Sequence, residues 1–316
     1  MKKNLMKLMM VAVCCLAVVT LAACSGGTPY RADAPITVIG REAGSGTRGA
    51  FFNILNNFGD FENDNKVTQR YNDTAAVLNA VKQNGNAIGY DSLGYVTPAV
   101  KALKVDGVAA TTANILNGTY KLQRDLRVVY AEGAVNASGT DQQKINADFI
   151  KFLDSSQAKT IIEAEGYVAK AGETPSYTKT AGLPAAKSSG GDIDISGSTS
   201  LKPLMDELVK EYKKLSGFTV IVSGGGSGQG VTDVNNGHSH FGMVSNVTTY
   251  AHVHTVAKDG IAVIVNKNNP MENITTNALR DVYFAAGTAI PERNGGTAYT
   301  VGAMPENWTA LVALMA

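Results

Sequence analysis

The stretch from Ile36 to Phe51, ITVIGREAGSGTRGAF, constrains the fold more than any other. The β-branched alternation of Ile36, Val38 and Ile39 predicts a strand ending at Gly40 and Arg41. Ala43 to Thr47 then form a small-residue turn that opens a helix through Phe51, Phe52, Ile54 and Leu55. A strand that passes through a glycine turn into a helix belongs to an α/β layer architecture. The first turn of a helix has amides without partners and a partial positive charge, and glycine lets a ligand approach that backbone closely. Ser45 and Thr47 add hydroxyls, and Arg41 adds a planar fork suited to an oxyanion. The occupant these groups predict is a small anion.

The same device recurs further on. Asp192 to Ile195 reads as a strand, Ser196 to Ser200 as a hydroxyl-rich turn, and Leu201 to Leu215 as an amphipathic helix with Pro203 in its first turn. Phe218 to Val222 leads through SGGGSGQG (Ser223 to Gly230) into a helix expected over Val231 to Asn235. Elsewhere, strands are expected at Val67–Tyr71, Ala87–Tyr90, Leu126–Tyr130, Phe241–Val244 and Ile261–Val265. Helices are expected at Thr74–Lys82, Gln142–Leu153, Ser156–Glu165, Thr275–Tyr283 and Trp308–Met315. Gly172 to Gly191 has no sustained apolar period and is rich in Gly, Pro, Ser and Thr, which marks a linker. The expected organisation is a module over 36–172, a linker over 173–191, a module over 192–284 and a tail over 285–316.

With 28 Lys+Arg against 27 Asp+Glu and a net charge of +1, bulk charge does not point to nucleic acid, so an anion must be held by local geometry. Lys2, Lys3 and Lys7 precede an apolar run from Leu8 to Leu21 that closes on Leu21-Ala22-Ala23-Cys24. That is a secretory signal over 1–23, too short in its apolar part for a membrane span of about 20 residues. The L-A-A-C ending resembles a bacterial lipobox, which implies lipid on Cys24 and a tether over 24–35. Cys14 and Cys15 fall inside the signal, so no disulfide framework is expected.

Other chemistries lack their signatures. Gly44, Gly46 and Gly49 spell G-x-G-x-x-G, but Asp60, Glu62 and Asp64 lie in a polar loop rather than at the end of the second strand a dinucleotide fold needs. Neither Ser45 nor Ser227 sits in G-x-S-x-G, and no Walker A sequence occurs, which leaves a secreted phosphoester hydrolase as an alternative without a motif. The pairs His238/His240 and His252/His254 could each share a strand face, yet no further ligand spacing completes a metal site. No metal or cofactor is expected.

At REAGSGTRGAF, ISGSTSLKPLMDELVKEY, SGGGSGQG and AKDGIAVIVNKNNP the chain resembles the substrate-binding lipoproteins of bacterial phosphate ABC transporters. The resemblance covers roughly Ile36 to Tyr283 and implies the two-lobed, type II periplasmic-binding-protein-like α/β fold closing on one phosphate, delivered to a membrane permease. It further implies an extracytoplasmic, lipid-anchored protein that is not an enzyme. The phosphate-binding residues it implies are Arg41, Ser45, Gly46 and Thr47, then Ser198, Thr199 and Ser200, then Ser227 and Gly228, with Ser245. Three features depart from the family pattern. The G-S-T-S segment follows the R-E-A-G-S-G-T segment instead of preceding it, which implies either a circular permutation or parts of two tandem copies. Asn246 stands after Ser245 where the family often carries Arg or Asp, so selection of phosphate over other oxyanions is less defined. Ala285 to Ala316 lacks the family's continuation, as a truncation or a shifted reading frame would leave it.

Overall fold

A computed structural model of the chain describes residues 27–56, 66–172, 174–246, 248–292 and 295–316. The expected signal segment and Cys24 lie outside the described residues. The chain first forms β1 (Thr37–Arg41), α1 (Gly46–Leu55), β2 (Gln69–Tyr71), α2 (Thr74–Gln83), β3 (Ala87–Ser92), β4 (Val100–Ala102), β5 (Lys104–Val105) and α3 (Thr112–Leu116). It continues through β6 (Gln123–Val129), α4 (Asp141–Leu153), α5 (Ser156–Ala164), β7 (Ile193–Gly197), α6 (Lys202–Ser216), β8 (Val220–Gly224), α7 (Ser227–Asn235) and β9 (Phe241–Val244). The long β10 (Val253–Asn266) is followed by β11 (Asn273–Ile274), α8 (Thr276–Tyr283), β12 (Ala289–Ile290), β13 (Tyr299–Thr300) and α9 (Trp308–Leu314).

One sheet runs β2-β1-β3-β10-β6-β9-β7-β8, with β4 also on β10. The pairs of β1 with β2 and β3, and of β7 with β8 and β9, are parallel, whereas β10 runs antiparallel to its neighbours. In parallel units of this kind, ligands gather beyond the C-terminal ends of the strands. Here those ends are Arg41, Gly197 and Gly224, each leading into a helix.

Two cores make two lobes. In the first, Phe51 stacks on Tyr90 at 4.1 Å between centroids, and Phe52, Tyr283 and Trp308 are buried around them. On the opposite face of β1 and β3, Val77 and Val81 of α2 cover Ile39. The second core gathers Phe149, Phe152, Tyr212, Phe218 and Phe241 under α4 and α6. Strand β10 serves both lobes: Val253–Gly260 pair with β6, and Ile261–Val265 with β3. Its first half had no strand signal, because VHTVAKDG is polar and interrupted by glycine; cross-strand pairing with β6 and the bridge from Val168 to Lys258 impose the extended form. The chain passes between lobes at Leu122/Gln123 and again at Gly260/Ile261.

The packing therefore divides the chain differently from a boundary at 173–191. Residues between Leu126 and Ala257 build the second core, and 36–122 share the first with 261–311, joined there by Val168. The expected 36–172 and 192–284 modules are stretches of sequence on either side of a surface linker, not the lobes. The 285–316 tail is part of the first lobe. Ile290, Val301, Trp308 and Leu311 are in its core, and Asp281 accepts hydrogen bonds from the Gly302 amide at 2.6 Å and the Tyr299 hydroxyl. Residues 28–35, expected within the tether, also pack on this lobe. Thr28 bridges to Asn84, Pro35 to Asn307, and the Ala32 carbonyl accepts the Thr309 amide at 3.1 Å.

Candidate anion site between the lobes

Three helix beginnings meet where the lobes touch. Ser45 caps α1, its Oγ accepting the Arg48 amide at 3.3 Å, which leaves Gly46 and Thr47 as the first two helical residues. Ser198 does the same ahead of α6: its Oγ accepts the Leu201 amide at 3.3 Å and its carbonyl the Lys202 amide at 3.1 Å, so Thr199 and Ser200 occupy the opening turn. Helix α7 starts at Ser227, four residues earlier than its apolar pattern suggests. Gly226, at φ 89°, supplies a chain reversal that only glycine adopts easily, and the helix begins inside the glycine run.

The hydroxyls of these turns bond to one another across the lobe boundary. Thr47 Oγ1 and Ser200 Oγ lie 2.7 Å apart, both buried. Ser198 donates to Ser245 Oγ at 2.8 Å, and the Ser245 amide donates to Ser227 Oγ at 3.0 Å. The Gly228 amide donates to the Gly44 carbonyl at 3.1 Å. Gly46 sits so close to this group that a Cβ there would come within 3.0 Å of both Ser227 Oγ and Ser245 Oγ. All ten residues expected from the sequence, Arg41, Ser45, Gly46, Thr47, Ser198, Thr199, Ser200, Ser227, Gly228 and Ser245, thus belong to one neighbourhood.

Arg41 is only 1% exposed. Its guanidinium donates to both Glu42 carboxylate oxygens at 3.1 Å, to Thr74 Oγ1 at 3.1 Å and to Thr199 Oγ1 at 3.0 Å, besides the Tyr71 and Asn72 carbonyls. The pair with Glu42 and the hydroxyls of two lobes compensate the burial of a charge that would otherwise be costly. Asp91, at the end of β3, is also 1% exposed. Burial raises its carboxyl well above the ordinary range, against the Ser92 amide and the Arg41 and Arg124 charges; nearby Asp259 raises it further. At the crossing between lobes, Arg124 and Asp259 face each other across β6 and β10, 2.9 Å apart and buried, and Arg124 also donates to the Ser245 carbonyl at 3.1 Å.

Several of these contributors had no distinguishing mark in the sequence. Glu42 is next to Arg41, yet an adjacent acid is usually a solvated one. Thr74 reads as an ordinary residue of a helix start. Asn246 does not join the hydroxyl group; its carbonyl accepts from Arg127 at 3.2 Å, and its side chain lies beside Gly49. The histidines stand elsewhere. His240 Nδ1 accepts the Asp194 amide at 2.9 Å, and His254 lies 3.4 Å from Asp154. Among the described residues no group of three His, Cys, Asp or Glu is placed to hold a metal ion, and no helix is long and apolar enough to cross a membrane.

Chemically, the arrangement offers helix-start amides, six serine and threonine hydroxyls and one fixed cation to a small tetrahedral oxyanion. The chain as a whole is similar to known proteins. Residues 171–309 match the PBP superfamily domain. Phosphate-binding protein PstS 2 of Streptococcus pneumoniae is 36% identical over 277 residues, covering 83% of this chain and 90% of that protein. The PstS 2 protein of Streptococcus agalactiae is 30% identical over 306 residues, covering 92% and 98%. A crystal structure of the phosphate-binding protein of a phosphate ABC transporter from Streptococcus pneumoniae matches at a TM-score of 0.60 and 36% identity, over 79% of this chain and 95% of that one. The chain belongs to the PstS family of phosphate-binding proteins.

Proposed function

We propose that this protein captures inorganic phosphate between its lobes outside the cytoplasm and passes it to the membrane permease of an ABC transporter. The observation that carries the proposal is the meeting of three helix N-termini, from both lobes, around the Thr47–Ser200 and Ser198–Ser245 hydroxyl pairs. A phosphate at that point would replace hydroxyl–hydroxyl bonds by charge-assisted ones, which are roughly twice as strong. Thr47, Ser198, Thr199, Ser200, Ser227 and Ser245 would supply O–H donors, Ser45 the cap, Gly46 and Gly228 amides, and Arg41 the balancing charge. Closure of the lobes around the anion is a hinge movement about β6 and β10.

We read the reversed order of segments as a permuted arrangement that builds one pocket, a reading supported by the bonds of Arg41 to Thr199 and of Thr47 to Ser200 between the two segments. Lipid on Cys24 would hold the protein at the extracytoplasmic face of the cell membrane. Binding without catalysis is favoured because the site hydroxyls bond to amides and to other hydroxyls, whereas an activated nucleophile bonds to a general base.

Titration calorimetry of the protein, cut before Cys24, against phosphate and sulfate tests the proposal. Saturable heat with phosphate and much weaker heat with sulfate is expected. Equal affinity would make the protein a general oxyanion binder, and no heat with either would refute capture. Release of phosphate from a chromogenic ester would establish the hydrolase reading instead.

A further inference from the structure

The turn before α6 contains an acceptor that its own helix cannot satisfy. The Ser198 carbonyl accepts the Lys202 amide at 3.1 Å and the Leu201 carbonyl accepts the Met205 amide at 2.9 Å, so the i to i+4 ladder is in place on both sides. The same step from Thr199 falls on Pro203, which has no N–H. The donor that meets the Thr199 carbonyl comes from the other lobe: Tyr95 Oη, at 2.9 Å. Tyr95 ends the short turn Leu93–Tyr95 that follows β3. The neighbouring Ser200 carbonyl accepts from Tyr167, a residue of the second lobe, at 3.3 Å. The Leu93–Tyr95 turn passes directly over that ring. A Cβ on Gly94 would lie 2.6 Å from the Tyr167 hydroxyl oxygen and 2.8 Å from Cε2.

We propose that Tyr95 is a positioning residue that latches the closed cleft, its hydroxyl docking on the carbonyl that Pro203 leaves without a helical donor, with Gly94 letting the turn pass Tyr167. The inference rests on the phosphate-capture reading and adds to it a group that never touches the anion. Tyr95 acts through the Thr199–Ser200 peptide unit, whose amide belongs to the anion-facing turn. When the lobes part, the carbonyl turns to water and the bond is lost, so the latch is a property of the closed state. Burial, together with the charges of Asp91, Asp206 and Asp73, raises the Tyr95 hydroxyl above its ordinary value, and it stays a donor throughout the neutral range. A bond present only after closure lengthens residence and leaves encounter unchanged.

The test uses the whole mature chain, inorganic phosphate, stopped-flow kinetics and a lobe-to-lobe distance from a pair of spin labels. Tyr95→Phe is expected to raise the phosphate dissociation rate about 3- to 10-fold, the worth of one neutral hydrogen bond, with the association rate and the ligand-free melting temperature unchanged. Pro203→Ala gives Thr199 a donor inside the helix and is expected to act in the same direction. The double variant should dissociate phosphate no faster than the faster of the two single variants, because both remove the same bond. Gly94→Ala, which props the turn off Tyr167, should shorten residence further and widen the bound-state distance. A Tyr95→Phe protein with wild-type dissociation rate and distance overturns the latch, as does full additivity with Pro203→Ala. If wild type itself does not bind phosphate, capture fails separately. The closed fraction seen in the distance measurement must then still fall in Tyr95→Phe, or the latch fails too.

Discussion

Replacing Gly46 by alanine adds one methyl group at the point where the lobes meet. Gly46 is in α1 with no positive φ, so its backbone accepts any residue, and alanine is the better helix former by up to about 1 kcal/mol. With the lobes together, however, the new Cβ falls within 3.0 Å of both Ser227 Oγ and Ser245 Oγ. Neither oxygen can move away cheaply. Ser227 Oγ accepts the Ser245 amide, Ser245 Oγ accepts from Ser198, and both side chains are buried. Overpacking of this kind costs about 1–3 kcal/mol, and breaking the Ser245-to-Ser227 bond adds about 1 kcal/mol. The total of about 2–4 kcal/mol burdens only the closed form, so the phosphate Kd should rise about 30- to 1,000-fold. Calorimetry gives the affinity and a thermal melt of the ligand-free protein gives the control, which should stay level or rise slightly. Wild-type affinity in Gly46→Ala would refute the reasoning. A fall in melting temperature that accounts for the whole loss would place the clash in every state of the protein.

Other perturbations have equally definite expectations. Arg41→Ala leaves Glu42 without its partner beside the anion and should weaken phosphate binding by about 2–4 kcal/mol, while Arg41→Lys, a point charge without the planar fork, should not restore it; calorimetry separates the two. Thr47→Val strands the buried Ser200 hydroxyl and should cost about 1–3 kcal/mol of binding, whereas Thr47→Ser should cost little, again by calorimetry. Burial alone would raise the Asp154 carboxyl, but the hydrogen bonds and charges of His254 and Lys170 outweigh it and bring it down to about 2. A depressed carboxyl stabilises the fold above its unfolded value near 4 and loses that contribution as pH falls toward 2. The full linkage is worth about 2.4 kcal/mol. With the side chain 43% exposed, screening reduces it to about 1 kcal/mol. Asp154→Asn should lower stability by that amount at pH 7 in urea melts and shrink the difference from wild type at pH 2.

The strand-turn-helix units at Arg41–Thr47, Gly197–Ser200 and Gly224–Gly228 were legible because each couples two local signals, an apolar alternation and a run of small residues. Helix α6 began within a residue of its expected place, as did α2, α4 and α8 elsewhere in the chain, while α7 began four residues early inside its glycine run. The lobes were not legible. Linker composition marks where chain is exposed, and Gly172–Gly191 is a surface excursion within the second lobe, whereas the real crossings lie at the very start of β6, Leu122/Gln123, and inside the continuous strand β10, Gly260/Ile261. Nor could the sequence pair Arg41 with Thr199 or Tyr95 with the Thr199 carbonyl, contacts between residues 158 and 104 positions apart. The Asp91 and Arg124–Asp259 charges under the hydroxyl group were hidden likewise, since a lone acid in a strand pattern gives no sign that packing will bury it.

A crystal structure of the protein grown with phosphate tests the central assignment most directly. Tetrahedral density is expected between the beginnings of α1, α6 and α7, within hydrogen-bond distance of Thr47, Ser198, Ser200 and Ser227, with Arg41 still held by Glu42. Phosphate bound elsewhere, with the Thr47–Ser200 and Ser198–Ser245 bonds intact and nothing between them, would contradict it.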